Sequence, residues 1–389
     1  MAKASIKLHG EGARPNAPQA GRAVAPRPPQ LVRLGEVSQV NYGTRIRSKD
    51  STSDAYPVYG GGGKTFGWAE FNRENQCVVS RFAMSEECVR FVSGKFFLND
   101  SGLTVDADDV NIQQEYLNWF LLGHQREIYS LGRGCAQKNL RVDSFLDMQI
   151  PLPPLPEQKR IAAILDKICE MKRNAEARLQ KLDLLVKARF VEMFGSFFES
   201  PKLLLSDVAR RVKVAFVGTC GKYYTDANSG VPMIRTTNIT KDGLDLTDLK
   251  YVSYDFHVKN KKSQLHDGDI LIARFGNNGQ ACIYRGSEAN CLNAIIIEPD
   301  ESKIDAVFLV AAINSNFVNR QVAGNLVGTT FAILNTKKLA KLKVGLPPLT
   351  LQRQFAAFVE KVEGLKATAK KELEQVDLLY RAKLQEFFG

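Results

Sequence analysis

The 389-residue sequence has no long apolar run: its longest uncharged apolar stretch, Ala306 to Ile313, falls far short of the roughly 20 residues a membrane span needs. The opening MAKASIKLHGEGARPNAP lacks the apolar core of about 7–15 residues that marks a secretory signal. Cysteine is sparse and odd in number, at 77, 88, 135, 169, 220, 282 and 291, with no Cys-x-x-Cys pair. Neither a disulfide framework nor a zinc site is expected, and the thiols read as reduced ones in a cytoplasmic protein. Histidine is scarcer still, at four, and His257 and His266 stand nine apart with no partner pattern. Enzyme signatures are missing too. VGTCGK (217–222) fails as a phosphate-binding loop, because Phe216 stands where the first glycine belongs and Tyr223 where a serine or threonine would hold magnesium. No Asn-Pro-Pro-aromatic or Asp-Pro-Pro-aromatic methylase motif occurs, nor His-x-Glu with a Cys-x-x-Cys. No cofactor or metal site is expected in the chain itself.

What the sequence has is cationic charge and a repeat. The net charge is +11, and it is uneven: residues 31–150 sum to −2 and residues 201–345 to +6. Such a balance suits a polyanionic partner without proving one. Residues 1–30, rich in Ala, Pro and Arg, carry too little apolar side chain to offset the entropy of ordering and read as a flexible tail.

Residues 152–195 and 346–389 align without a gap at an offset of 194, with 18 of 44 positions identical. The match includes both Pro pairs, Gln158 with Gln352, Asp183-Leu184-Leu185 with Asp377-Leu378-Leu379, and the closing Phe194-Gly195 with Phe388-Gly389. In each copy the Pro pair can only precede or open a helix. Apolar residues then recur at Ile161, Ile164, Ile168, Met171, Ala175, Leu179, Leu182 and Val186, and again at Phe355, Phe358, Val362, Leu365, Ala369, Leu373, Val376 and Tyr380. Spacings of three and four, with one extra four at the same place in both copies, describe a coiled-coil seam with a shared stutter. A rod of about 38 residues, roughly 57 Å long, needs a partner for its stripe, and the other copy is the obvious one. The shared stutter also keeps a pairing of like repeats in register.

The offset extends upstream, pairing Gly134 with Gly328, Leu140 with Leu334 and Ile150 with Val344. Strand-like runs at Gln76–Arg81, Cys88–Val92, Val231–Arg235, Asp269–Arg274, Ala281–Tyr284 and Ala294–Glu298, with amphipathic helices at Ile112–Leu122 and Asp305–Ile313, make the globular parts mixed α/β. The expected organisation is an α+β tandem repeat with pseudo-twofold symmetry: tail 1–30, domain 31–151, helix 152–200, domain 201–345 and helix 346–389.

Together the paired Leu-Pro-Pro-Leu-x-x-Gln helices, GVPMIRTTNI (230–239), GDILIARFGNNGQ (268–280), YPVYGGGG (56–63) and GCAQKNL (134–140) resemble the specificity subunits of type I restriction-modification systems. The resemblance covers about residues 31–389 and implies two target recognition domains, each reading half of a bipartite site in double-stranded DNA. It implies an antiparallel coiled coil that spaces them and docks two methyltransferase subunits, which use S-adenosylmethionine to methylate adenine, with endonuclease/translocase subunits joining. The chain itself would be non-catalytic and cytoplasmic, with no membrane partner. Two rivals share features of the architecture: the specificity part of a type IIB restriction-methylation enzyme, and a coiled-coil scaffold whose ends bind protein. Two modules about a pseudo-dyad also fit half-sites about 34–36 Å apart.

Candidate DNA-binding residues follow from chemistry at strand ends and loops. Arg274, with Asn277 and Asn278, offers groups that grip guanine O6/N7 and adenine N6/N7, though an arginine so placed equally forms an internal ion pair and Asn-Asn a turn. Arg235, Thr236 and Asn238 form a similar cluster, and Lys261 suits phosphate. In the first module, Gly62 within Gly60–Gly63 would let backbone approach DNA, next to Lys64. Arg81, in VVSRF (78–82), falls near Arg274 of the similar ILIARF (270–275), and Gln137, Lys138 and Asn139 stand where the second module has Phe331, Ala332 and Ile333. The coiled-coil contact is expected at Ile161, Ile164, Ile168, Leu182, Phe355, Phe358, Val362 and Val376.

Overall fold

The computed structural model describes residues 29–389 except 136, 241–242, 275–279, 324–325, 328–332 and 335. The expected tail therefore lies outside the described residues, apart from its last two, and Gln30 already belongs to a strand. The chain divides into two compact units, residues 1–168 with 380–389 and residues 169–379, so each long helix contributes to both.

In the first unit a six-stranded sheet runs in the order β2-β7-β5-β6-β3-β4. Its strands are β2 (Ser38–Tyr42), β3 (Tyr56–Gly60), β4 (Gly63–Trp68), β5 (Arg73–Ser80), β6 (Val89–Leu98) and β7 (Gly102–Ala107). Helix α1 (Gln114–Gly123) presents Tyr116, Leu117 and Phe120, all fully buried. β1 (Gln30–Arg33) pairs antiparallel with β8 (Gln149–Leu152), which brings both ends of the domain to the start of helix α2 (Leu155–Phe194). The C-terminal end of the chain closes this unit: Phe388 packs on Tyr116 and Phe120 at 5.2 and 5.9 Å between ring centroids.

The second unit repeats the plan with different strands. β9 (Leu203–Leu204) pairs with β19 (Lys343–Val344) ahead of helix α4 (Leu349–Phe388). Between them lie a four-stranded sheet, β10 (Ala209–Val214), β18 (Ala294–Pro299), β15 (Ile270–Ala273) and β16 (Ala281–Ile283), and a five-stranded one. The latter is ordered β11 (Tyr224–Thr225), β13 (Lys250–Ser253), β12 (Gly230–Arg235), β17 (Ala289–Leu292) and β14 (Gln264–Leu265). Helix α3 (Ala306–Asn314) packs its Phe308 against Phe190 and Phe194 of the first repeat and Phe198 just beyond it.

Two glutamines identical in the repeats bind each domain to its long helix. Gln158, fully buried, accepts from Gln113 N at 2.9 Å and donates to the carbonyls of Asn111 and Pro153. Gln352, equally buried, accepts from Asp305 N at 2.8 Å and donates to Lys303 and Pro347. Each satisfies backbone groups at the N-terminus of α1 or α3 that have no partner inside the helix.

Within the second unit α2 and α4 run antiparallel, joined by Lys172–Asp377, Arg178–Glu372 and Asp183–Lys366. Of the expected seam, Ile161, Ile168, Leu182, Phe355, Val362 and Val376 are buried, and Ile164 and Phe358 partly so. Met171 and Leu365 depart from the expectation, at 43% and 47% exposed. The stutter turns the stripe away from the partner there, and the next residue, Lys172 or Lys366, faces it through an ion pair instead.

Candidate nucleic-acid interface

The first unit gathers its candidates on one edge. In the β3–β4 hairpin, a side chain on Gly60 would strike Ser101 Oγ, and one on Gly61 would meet Ser101 O at 2.8 Å. These two glycines therefore serve packing against the β6–β7 turn. Gly62 has nothing within 4 Å of where a Cβ would stand and is exposed, and Lys64 is exposed beside it. Ser80 Oγ donates to Gly61 O at 2.7 Å, and Arg90 Nη1 to Gly60 O and Gly61 O. Immediately after β5, the Arg81 guanidinium lies 4.7 Å from the Tyr42 ring centroid and 4.6 Å from that of Phe82. Both rings are large and exposed, at 49% and 41%. A cation between exposed rings offers charge to phosphate and flat surface to a base or sugar.

Backbone bonds draw the 137–140 segment onto the same edge. Met84 N donates to Lys138 O at 2.9 Å, Leu140 N to Arg81 O at 2.9 Å, and Ala83 N to Asn139 Oδ1 at 3.3 Å. Lys138 Nζ sits 3.9 Å over Tyr129, and Gln137 is exposed. Arg81, Lys138 and Asn139 thus meet, with the glycine hairpin behind them. Sequence reasoning missed Tyr42, Phe82 and Arg90; an aromatic residue directly after Arg81 was the available signal.

The second unit treats its candidates unequally. Asn238 is buried, its Oδ1 accepts from Arg235 N at 2.9 Å, and its Nδ2 donates to Asp245 O at 2.8 Å, so it holds a turn. The Thr236 hydroxyl is engaged likewise, donating to Asn293 O at 2.6 Å. The guanidinium of Arg235 pairs with Asp248 at 2.8 Å, and the hydrogen bonds from Arg235 and Lys250 hold that carboxyl below its usual range. Arg274 is half-buried directly after β15, and desolvation lowers its pKa from the usual arginine value. The ends of β12 and β15 converge at Asn293-Ala294, since Ala273 pairs with Ala294 and Thr236 bonds Asn293. Lys261 is exposed near the opposite end of β17, where β14 pairs with Ala289 and Asn290, and so stands apart from Arg274. Asn277 and Asn278 lie outside the described residues. Among the described residues no group of three or more His, Cys, Asp or Glu is placed to hold a metal ion.

Two α/β units, each leading through a Pro-Pro segment into a long helix and each carrying cationic groups at strand ends, define a duplicated recognition module rather than a single cleft. The comparisons name its kind. The family model described as "Type I restriction modification DNA specificity domain" matches twice, over residues 26–184 and 216–377. The chain belongs to this family of type I restriction-modification specificity subunits. It is 22% identical over 313 residues to the type I restriction enzyme MjaVIII specificity subunit of Methanocaldococcus jannaschii, covering 73% of each chain. It is 24% identical over 293 residues to the EcoBI specificity subunit of Escherichia coli, covering 68% of this chain and 62% of that one. The fold is similar to the crystal structure of the type I system S subunit from M. genitalium, at a TM-score of 0.63 and 17% identity over 95% of this chain and 98% of that one. A structure from a study of type I complex assembly and conformational transition matches at 0.56 and 17%, over 95% and 100%.

Proposed function

We propose that this chain is the DNA sequence-specificity subunit of a type I restriction-modification complex, each globular module reading one half of a bipartite, asymmetric site. The observation that carries the reading is the double match of one DNA specificity domain along a chain whose two modules carry different loop chemistry. The aromatic-flanked Arg81 edge with Lys64, Gln137, Lys138 and Asn139 forms the first reading surface in this proposal, and Arg274 belongs to the second. Lys261 contributes phosphate attraction. Arg235 and Thr236, tied to Asp248 and Asn293, shape the second surface from behind.

The long helices set the spacing between half-sites and dock two methyltransferase subunits. Those subunits hold the S-adenosylmethionine and methylate adenine, and endonuclease/translocase subunits complete the assembly in the cytoplasm. No described helix is long and apolar enough to cross a membrane. The chain contributes recognition and no chemistry of its own. Mapping methylated adenines in a host carrying this chain with its methyltransferase tests the proposal. Methylation at one interrupted site with two unlike halves is expected; methylation that ignores the presence of this chain would overturn it.

A further inference from the structure

The ion pairs between α2 and α4 are themselves arranged symmetrically. Lys172 Nζ donates to Asp377 Oδ1 at 2.7 Å, Lys366 Nζ lies 2.8 Å from Asp183 Oδ1, and Arg178 Nη1 donates to Glu372 Oε2 at 3.2 Å. The repeat offset of 194 turns the first pair into the second, Lys172 into Lys366 and Asp183 into Asp377. Applied to Arg178, it returns Glu372, the partner it already has. The pseudo-twofold axis of the helix pair therefore passes through the Arg178–Glu372 contact, where each repeat faces its own counterpart.

Around that point the seam does not distinguish the repeats. Ala175 corresponds to Ala369, Leu179 to Leu373 and Leu182 to Val376, so the apolar residues would pack on a like repeat about as well as on an unlike one. The flanking Lys–Asp pairs would form in either case. Farther out, Phe190 meets Phe355 edge-to-face at 5.6 Å between ring centroids, where the counterparts are Leu384 and Ile161. Like pairing there would redistribute large and small apolar side chains without repulsion. The axis position alone among these changes sign: two first repeats would oppose Arg178 to Arg178, and two second repeats Glu372 to Glu372.

We propose that Arg178–Glu372 is a pairing selector, making the seam of each repeat an interaction surface for the unlike repeat and disfavouring a second copy of its own kind. The selector acts on pairing alone and stands whether or not the modules read DNA; where they do, it keeps two different modules in one particle. Both side chains are 49% exposed, so each attraction or repulsion is modest. Converting two unlike pairs into one of each like pair loses two attractions and adds two repulsions, about tenfold in the exchange constant at low salt, less when screened.

The test starts from the intact chain, with a protease site placed in the exposed connector around Glu199–Lys202 and cut after folding. Cut protein is mixed with a mass-labelled copy, exchanged through moderate urea, and read by native mass spectrometry. Glu372→Arg places Arg against Arg in every pairing, so the ratio of unlike to like pairs should fall about tenfold. The double swap Arg178→Glu with Glu372→Arg should restore it, and about 1 M salt should shrink the wild-type preference. An unchanged ratio in Glu372→Arg, or a swap that fails to restore it, overturns the proposal. If the cut halves do not exchange, a double-mutant cycle on the uncut chain decides: salt-sensitive coupling between 178 and 372 supports the selector, and zero coupling overturns it.

Discussion

At the scale of single residues, neighbouring polar side chains have divided between architecture and surface, and the division makes opposite predictions for them. Asn238, buried and bonded on both sides, should behave as a structural residue, whereas exposed Lys261 should behave as a phosphate contact. Lys261→Ala is expected to weaken binding of all sequences alike and lower the salt slope by about one, with unfolding unchanged. Arg274→Ala, if the side chain grips guanine, should cost about 1–3 kcal/mol on the specific site and relax one base position. Binding of the methyltransferase-bound complex to single-base variants checks both, and a uniform loss for Arg274→Ala would reassign it to phosphate or to folding. The thiols separate in the same way. Burial pushes Cys88 up to about 11 and Cys282 to about 12, and raises Cys77 and Cys291 further, while Cys135 is exposed. Because the thiolate is the nucleophile, alkylation near pH 8 should label Cys135 first, read by peptide mass mapping, with Cys77, Cys88, Cys282 and Cys291 labelled only on unfolding.

At the scale of elements, the long helices are held by repeated contacts whose values can be compared within one molecule. Gln352→Leu would strand the Asp305 amide and two carbonyls, a loss of about 1–3 kcal/mol by denaturant unfolding, and Gln158→Leu should cost about the same in the first unit. Ile168→Ala, at a buried seam position, should cost about 2–4 kcal/mol, while Met171→Ala one turn away should cost well under that because Met171 is 43% exposed. Equal costs would return Met171 to the seam. Periodicity alone placed the two together: spacing of three and four marks a stripe, but the angle at which a stuttered stripe meets an antiparallel partner depends on the partner. Only the packed pair shows that Lys172 and Lys366 take the facing position, with their charge met by Asp377 and Asp183.

For the whole molecule, the proposed role separates recognition from chemistry, and that separation is directly measurable. Purified chain with S-adenosylmethionine and DNA should transfer no methyl groups, since the sequence carries neither a cofactor-binding motif nor a methylase motif. Reproducible transfer by partner-free protein would make it an enzyme. The two modules differ in charge and in the residues at their strand ends, so exchanging one while keeping the helices should change one half of the methylated site and leave the other intact.

The sequence by itself determined the duplication, the two long helices, the mixed α/β character of the modules and the kinship, because identities at a fixed offset and a helical period survive without any three-dimensional information. It also showed Gln158 and Gln352 to be shared, though not what they hold. Only the tertiary structure decided which polar residues face outward. Asn238 at a strand end reads equally as a base contact or a turn anchor, and burial alone separates them. Tyr42 joins Arg81 because β2 and β5 both pair with β7, Tyr42 and Val79 each opposite Leu103, a register that local sequence does not encode. The selector at Arg178 and Glu372 lay in plain view as a mismatch between repeats; it acquired meaning when antiparallel packing set the two residues against each other.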